Sequence, residues 1–151
     1  WPRVAAMPGA LEALAALQGR YRLVVATNAA ASGRALVRQA LERVGLLRYV
    51  AQVFTPQELA ARKPDVRFFQ AIVEALGCAP AEAVMVGDGY DSDVQGAKAA
   101  SLWAVWYNPR GRRPPALPPA HDAEVADLRA LPAALAALEA ALAEGSPPAR
   151  E

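Results

Sequence analysis

The sequence predicts an α/β fold: a doubly wound, Rossmann-like parallel sheet with helices on both faces. Three observations predict it. Four short apolar runs, Arg22–Thr27, Tyr49–Phe54, Ala83–Val86 and Leu102–Tyr107, have strand length and lack the polar alternation of a half-exposed sheet. Between them lie stretches with apolar residues at helical spacing, closed by glycines. Strand and helix alternate along the chain, and that alternation calls for parallel pairing through right-handed crossovers.

The first helix opens at Pro8-Gly9 and carries Leu11, Leu14 and Leu17 before Gly19 stops it. Arg22–Thr27 then runs as a buried strand into a loop at Thr27-Asn28. Ser32 is placed to cap a second helix, whose Leu36, Val37, Ala40, Leu41 and Val44 form one stripe up to Gly45. After the strand at Tyr49–Phe54, Pro56–Leu59 reads as one short turn of helix. Arg62-Lys63-Pro64-Asp65 ends it, because proline disfavours helix at the residue before it. Asp65 caps the next helix, with Phe68, Phe69, Ile72, Val73 and Leu76 as its buried face and Gly77 at its end. Ala83–Val86 is broken by Gly87-Asp88-Gly89-Tyr90-Asp91-Ser92-Asp93, after which a helix carries Val94, Ala97 and Ala100. The fourth strand points Trp103 and Trp106 to opposite faces, both as core. Asn108–Pro119, with five prolines and three arginines, is a loop. A short strand near Glu124–Ala126 and a helix over Leu131–Leu142 complete one core domain at 1–145, and 146–151 is a tail.

Composition narrows the function classes. With 16 Lys+Arg against 15 Asp+Glu, the net charge of +1 gives no electrostatic case for a nucleic-acid partner. A hydrophobic share of 54% and a mean hydropathy of +0.12 supply a core and exclude a wholly disordered chain. The sequence holds no charge-free run of about 18 apolar residues. That excludes a membrane-spanning helix, Cys78 as the single cysteine excludes an internal disulfide, and a cytoplasmic, reducing compartment is expected. The sequence opens on Trp1 without a basic-then-apolar leader, which reads as a processed or truncated N-terminus.

In parallel sheets ligands bind beyond the carboxyl ends of the strands, and Thr27 and Asp88 both stand there. Asp88, Asp91 and Asp93 place three carboxylates within six residues. Hard oxygen donors on a tight loop suit Mg²⁺, which takes one or two carboxylates and keeps waters and phosphate oxygens for the rest. Equally, Asp91 and Asp93 suit the positive end of the following helix. Lys63 is one of two lysines beside fourteen arginines, which points to a compact charge where one is needed; a solvated lysine ahead of a helix is the plainer alternative. Thr27 offers a hydroxyl for a phosphate oxygen, or simply closes a Thr-Asn turn.

In chain order the sequence reads strand-Thr27-Asn28, Arg62-Lys63-Pro64-Asp65, then strand-Gly87-Asp88 with Asp93 five residues on and Gln95-Gly96-Ala97 beyond. This resembles the second, third and fourth motifs of the haloacid dehalogenase-like hydrolase superfamily, at spacings of 36 and 25 residues. Pro8–Leu14 is similar to the helix that precedes the second motif, and Trp106-Tyr107-Asn108-Pro109 to the segment that follows the fourth in phosphatase-type and nucleotidase-like members. The resemblance implies a phosphatase that attacks a phosphomonoester with an aspartate, forms an aspartyl phosphate and hydrolyses it with water. It also implies roles. Thr27 would bind a phosphoryl oxygen, Lys63 would hold nucleophile and phosphate, and Asn28 would be a further phosphate contact. Asp88 would ligate Mg²⁺, Asp93 would ligate it or orient its waters, and Asp91 would do neither.

The family's first motif, a strand ending in Asp-x-Asp-x-Thr, is absent; Asp91-Ser92-Asp93 runs on into Val94-Gln95 and belongs to the fourth. The expectation is therefore a C-terminal core whose nucleophile and cap lie elsewhere, with a gap in the sheet where the first strand belongs, and no activity alone. A small phosphorylated metabolite, nucleotide or phosphoglycolate-like, is the implied substrate, and the oligomeric state stays open. A dehalogenase that attacks carbon is the enzymatic alternative, and a non-catalytic binding remnant the other. A phospho-receiver module is disfavoured because its acidic pair precedes its threonine and lysine. His121 reads as a surface histidine, and Arg110, Arg112 and Arg113 read as a solvated loop or as a reach toward a substrate phosphate. Cys78 is assigned no reactivity.

Overall fold

The protein's structure, a computed structural model, describes residues 4–29 and 33–144, so the readings placed on Trp1, Ser32 and the tail lie outside it. Among the described residues there are six α-helices, α1 (Ala10–Leu17), α2 (Arg34–Arg43), α3 (Pro56–Leu59), α4 (Val66–Leu76), α5 (Gly96–Ala99) and α6 (Leu131–Ala143), interspersed with five strands. The strands are β1 (Val24–Ala26), β2 (Gln52–Phe54), β3 (Val84–Gly87), β4 (Trp103–Tyr107) and β5 (Ala123–Val125). All pairings are parallel. β2 lies beside β1, with Val25 opposite Val53, and β4 lies between β3 and β5, with Gly87 opposite Trp106 and Trp106 opposite Glu124.

The sheet is in two parts. Among the described residues no ladder joins β1 to β3, and every residue of both strands is only half-buried, whereas Ala104, Val105 and Trp106 of the doubly paired β4 are buried. Strand alternation sends side chains to two cores. Met85, Ala104 and Trp106 meet Phe68, Phe69, Ile72 and Val73 of α4 and Val94, Ala97 and Ala100 around α5. Val84, Val86 and Val105 face Leu17 of α1 and Leu131 and Leu135 of α6 on the other side. The two faces of a doubly wound sheet are thus covered, with β1 and β2 contributing Val24, Ala26 and Phe54 to the first core.

Two helix faces differ from their sequence reading. α1 buries Ala10, Ala13 and Leu17, while Leu11 is 38% exposed. Leucines three apart drift around a helix, and only Leu17 meets the core; the close neighbours of α1 are α6 and the turn Leu128–Ala130, against which alanine fits. α2 buries Val37 and Ala40 but leaves Leu36 49% exposed. α4 is as expected: the Asp65 carboxylate accepts from the Arg67 N–H at its start, and Gly77 closes it at φ 68°. Beyond β3 the chain makes a π-helical turn over Tyr90–Gln95 before α5, where a plain helix is the sequence expectation.

Candidate active site

Three segments meet at the carboxyl end of the strands. From β1, Thr27 continues the ladder by donating its N–H to the Phe54 carbonyl (3.2 Å), and its hydroxyl accepts from the Ala29 N–H (3.1 Å), closing a small turn. Asn28 pairs with the main chain of Lys63 in both directions: its amide donates to the Lys63 carbonyl (2.9 Å) and its oxygen accepts from the Lys63 N–H (2.9 Å). The second amide N–H of Asn28 has no partner among the described residues.

That clasp aims Lys63 inward. Its ammonium donates to the Ala26 carbonyl at the end of β1 (3.0 Å) and to Asp93 Oδ1 (2.6 Å), across the line where the sheet is interrupted. The pair is buried, with the side chains 9% and 7% exposed. Asp93 Oδ2 accepts the Gly89 N–H (3.0 Å), so both its oxygens are engaged, each keeping one further lone pair. Two glycines make this approach possible. A Cβ on Gly87 would stand 2.2 Å from Asp93 Oδ2, and one on Gly96 would stand 2.8 Å from the Phe69 ring and 3.0 Å from Pro64 Cα, next to Lys63.

Asp88 differs from Asp93. It is exposed, and no side chain among the described residues pairs with its carboxylate. Its carbonyl is held instead, by the Trp106 indole N–H at 3.2 Å. Asp91 is exposed as well. Among the described residues no cluster of three His, Cys, Asp or Glu forms a complete metal cage. The donor set still fits Mg²⁺, whose shell is filled largely by water and substrate oxygens: Asp88 supplies a hard carboxylate with no side-chain partner among the described residues, and Asp93, five residues on, a second with a lone pair left on each oxygen.

Sequence reasoning left out the aromatic backing of this loop. Tyr90 lies edge-on to Trp106 (centroids 4.7 Å apart); its hydroxyl accepts the Ala120 N–H (2.8 Å) and bonds His121 Nδ1 (3.0 Å). His121 is half-buried on this cluster and not a free surface residue, because Tyr90 and Trp106 take up its ring. The signal available was faint: a tyrosine inside the acidic loop and a tryptophan on the neighbouring strand. Trp103 takes the opposite face, with its indole N–H on the Ala81 carbonyl (2.9 Å) and its ring under Lys98.

Comparison with known proteins identifies the family. Residues 3–101 match the family model described as a hydrolase, haloacid dehalogenase-like hydrolase. The chain is 42% identical over 94 residues to the phosphoserine phosphatase of Thermus thermophilus, covering 62% of this chain and 37% of that protein. It is 43% identical over 99 residues to the phosphoglycolate phosphatase of Rhodospirillum rubrum, covering 65% and 39%. A solved HAD phosphatase from Thermococcus onnurineus superposes with a TM-score of 0.69 at 37% identity, covering 83% of this chain and 55% of that one. The chain thus spans between about two fifths and somewhat over half of these relatives.

Proposed function

Because this chain belongs to the haloacid dehalogenase-like hydrolases, we propose that it is the C-terminal core of a Mg²⁺-dependent phosphatase that hydrolyses a small phosphomonoester. The nucleophilic aspartate would lie outside the 151 residues, since the sequence has no Asp-x-Asp-x-Thr. In the first half-reaction the nucleophile's carboxylate oxygen would bond to phosphorus as the ester P–O bond breaks, and the alcohol would leave with a proton given by the second aspartate of the same missing motif. Water then attacks phosphorus, releasing inorganic phosphate and restoring the carboxylate.

One observation carries the reading: the Lys63 ammonium, buried between the Ala26 carbonyl and Asp93, has one N–H left at the edge where Thr27 and the unpaired Asp88 also stand. That N–H would hold the phosphoryl group, with the Thr27 hydroxyl and the free amide N–H of Asn28 on its other oxygens. Each is fixed beforehand by bonds to backbone, so little reorganisation accompanies charge development. Asp88 and Asp93 would hold Mg²⁺, which when bound supplies positive charge to the phosphoryl oxygens. A small phosphorylated metabolite as substrate is supported by the names of relatives that act on phosphoserine, phosphoglycolate and pyrimidine nucleotides.

The test compares this chain with a longer form that restores an upstream Asp-x-Asp-x-Thr segment, on a generic aryl phosphate. Expected are no turnover from the chain alone and Mg²⁺-dependent turnover from the longer form. Turnover by the chain alone, or turnover of the longer form unaffected by chelation of Mg²⁺, would overturn the proposal.

A further inference from the structure

Asn108 is a buried polar side chain, 4% exposed, whose bonds shape one loop. Its amide donates to the Arg112 carbonyl (2.9 Å) and to Glu124 Oε1 (2.6 Å), and its oxygen accepts the Arg112 N–H (3.0 Å). Gly111 closes the turn within, donating to the Asn108 carbonyl (3.3 Å) at φ 60°, a conformation that favours glycine. The outcome is a preset turn, Asn108–Arg112, with Arg110 at its tip and Arg113 directly after it. All three arginines are exposed, and among the described residues none of them pairs with a carboxylate. Elsewhere, Arg34, Arg67 and Arg129 each have an acidic partner.

The turn has a definite place. Gly87 is opposite Trp106, so Asp88 is level with Tyr107 and the turn begins one residue further along the adjacent strand, about 5 Å away. The far end of the same loop is fastened to the acidic segment by the Ala120 N–H on Tyr90. Lys63, by contrast, is already neutralised by Asp93. Arg62, next to Lys63, likewise has no acidic partner among the described residues; the Asn108 turn differs from it in gathering three such cations on one turn held by a buried side chain.

We propose that Arg110, Arg112 and Arg113 form a recognition site for a second oxyanion, carboxylate or phosphate, on the phosphorylated substrate. This rests on the phosphate site proposed above and adds a selectivity to it. The guanidinium fork matches a planar carboxylate or a phosphate face with two parallel N–H bonds, and a turn held by buried Asn108 lowers the ordering cost of presenting it.

Affinities of the full chain with Mg²⁺ for three probes, read by ligand-observed phosphorus NMR, provide the test. Glycerol 3-phosphate has one anionic group, 3-phosphoglycerate adds a carboxylate, and glycerol 1,3-bisphosphate adds a phosphate. At least one doubly anionic probe is expected to bind about tenfold tighter than glycerol 3-phosphate, and the probe that does so identifies the group. That ratio should shrink in added salt and fall to about one in the triple variant Arg110→Gln, Arg112→Gln, Arg113→Gln. A ratio of one in the unaltered chain overturns the oxyanion site while leaving the phosphate site standing. A ratio that persists in the triple variant overturns it too, and binding of none of the probes overturns both.

Discussion

Lys63 and Asp93 form a largely buried ion pair, each charge held chiefly by the other. Lys63→Met leaves the Asp93 carboxylate uncompensated, so denaturant unfolding of the variant should show a loss of roughly 3–5 kcal/mol. Removing both charges, as Lys63→Met with Asp93→Leu, should recover much of it, which a double-mutant cycle measures directly. In a longer form that restores the upstream motif, Asp88→Asn is expected to abolish most activity, because it removes a hard carboxylate from the proposed Mg²⁺ site at the end of β3. Asp91→Asn should change turnover less than roughly tenfold, or about 1.4 kcal/mol. Asp65 illustrates a purely structural carboxylate. The Arg67 side chain, and then its backbone N–H, hold the Asp65 carboxyl below its ordinary value. A folded-state pKa lower than the unfolded one contributes stability above the unfolded value of about 3.9 and loses it as pH falls through the folded value. The stability difference between wild type and Asp65→Ala should therefore be present at neutral pH and vanish in acid, by thermal melts across that range.

At the scale of elements, the site exists because β3, the π-helical turn and the Lys63 loop approach more closely than side chains allow. Gly96→Ala places a methyl 2.8 Å from Phe69 and 3.0 Å from Pro64 Cα. It should cost about 1–3 kcal/mol and weaken phosphate binding together, since the displaced loop carries Lys63. Equal affinity at lowered stability would show that the loop position is independent of Gly96. The strands and α4 were legible in the sequence because they rest on local pattern: apolar runs, the Asp65 cap, Gly77. The face of α1 was not, because a leucine row states hydrophobicity while burial depends on which neighbour arrives, and α6 favours Ala10 and Ala13. Thr27, Lys63, Asp88 and Asp93 were picked out of the sequence by their order and spacing, and the structure joins two of them in the Lys63–Asp93 pair. The Asn28–Lys63 clasp and the Tyr90–His121 bond were not, since they join residues 35 and 31 apart whose sequence neighbours give no sign of the contact.

For the whole molecule, the decisive feature is a sheet in two parts. Among the described residues β1 and β3 each have one edge without a partner strand and are only half-buried, the kind of edge that recruits another strand. The isolated chain is expected to self-associate, and sedimentation with amide exchange checks it; a monomer with strongly protected amides at Leu23–Ala26 and Val84–Val86 would contradict that. The central claim is that Thr27 and Asn28 on one part, and Asp88 and Asp93 on the other, form a single Mg²⁺-dependent phosphate site through Lys63. Hydrogen exchange by mass spectrometry, with and without Mg²⁺ and inorganic phosphate, tests this most directly. Segments containing Thr27–Asn28, Lys63 and Asp88–Asp93 should gain protection together, and Asp88→Asn should abolish the gain. Protection confined to one sheet part, or unchanged in Asp88→Asn, would contradict it.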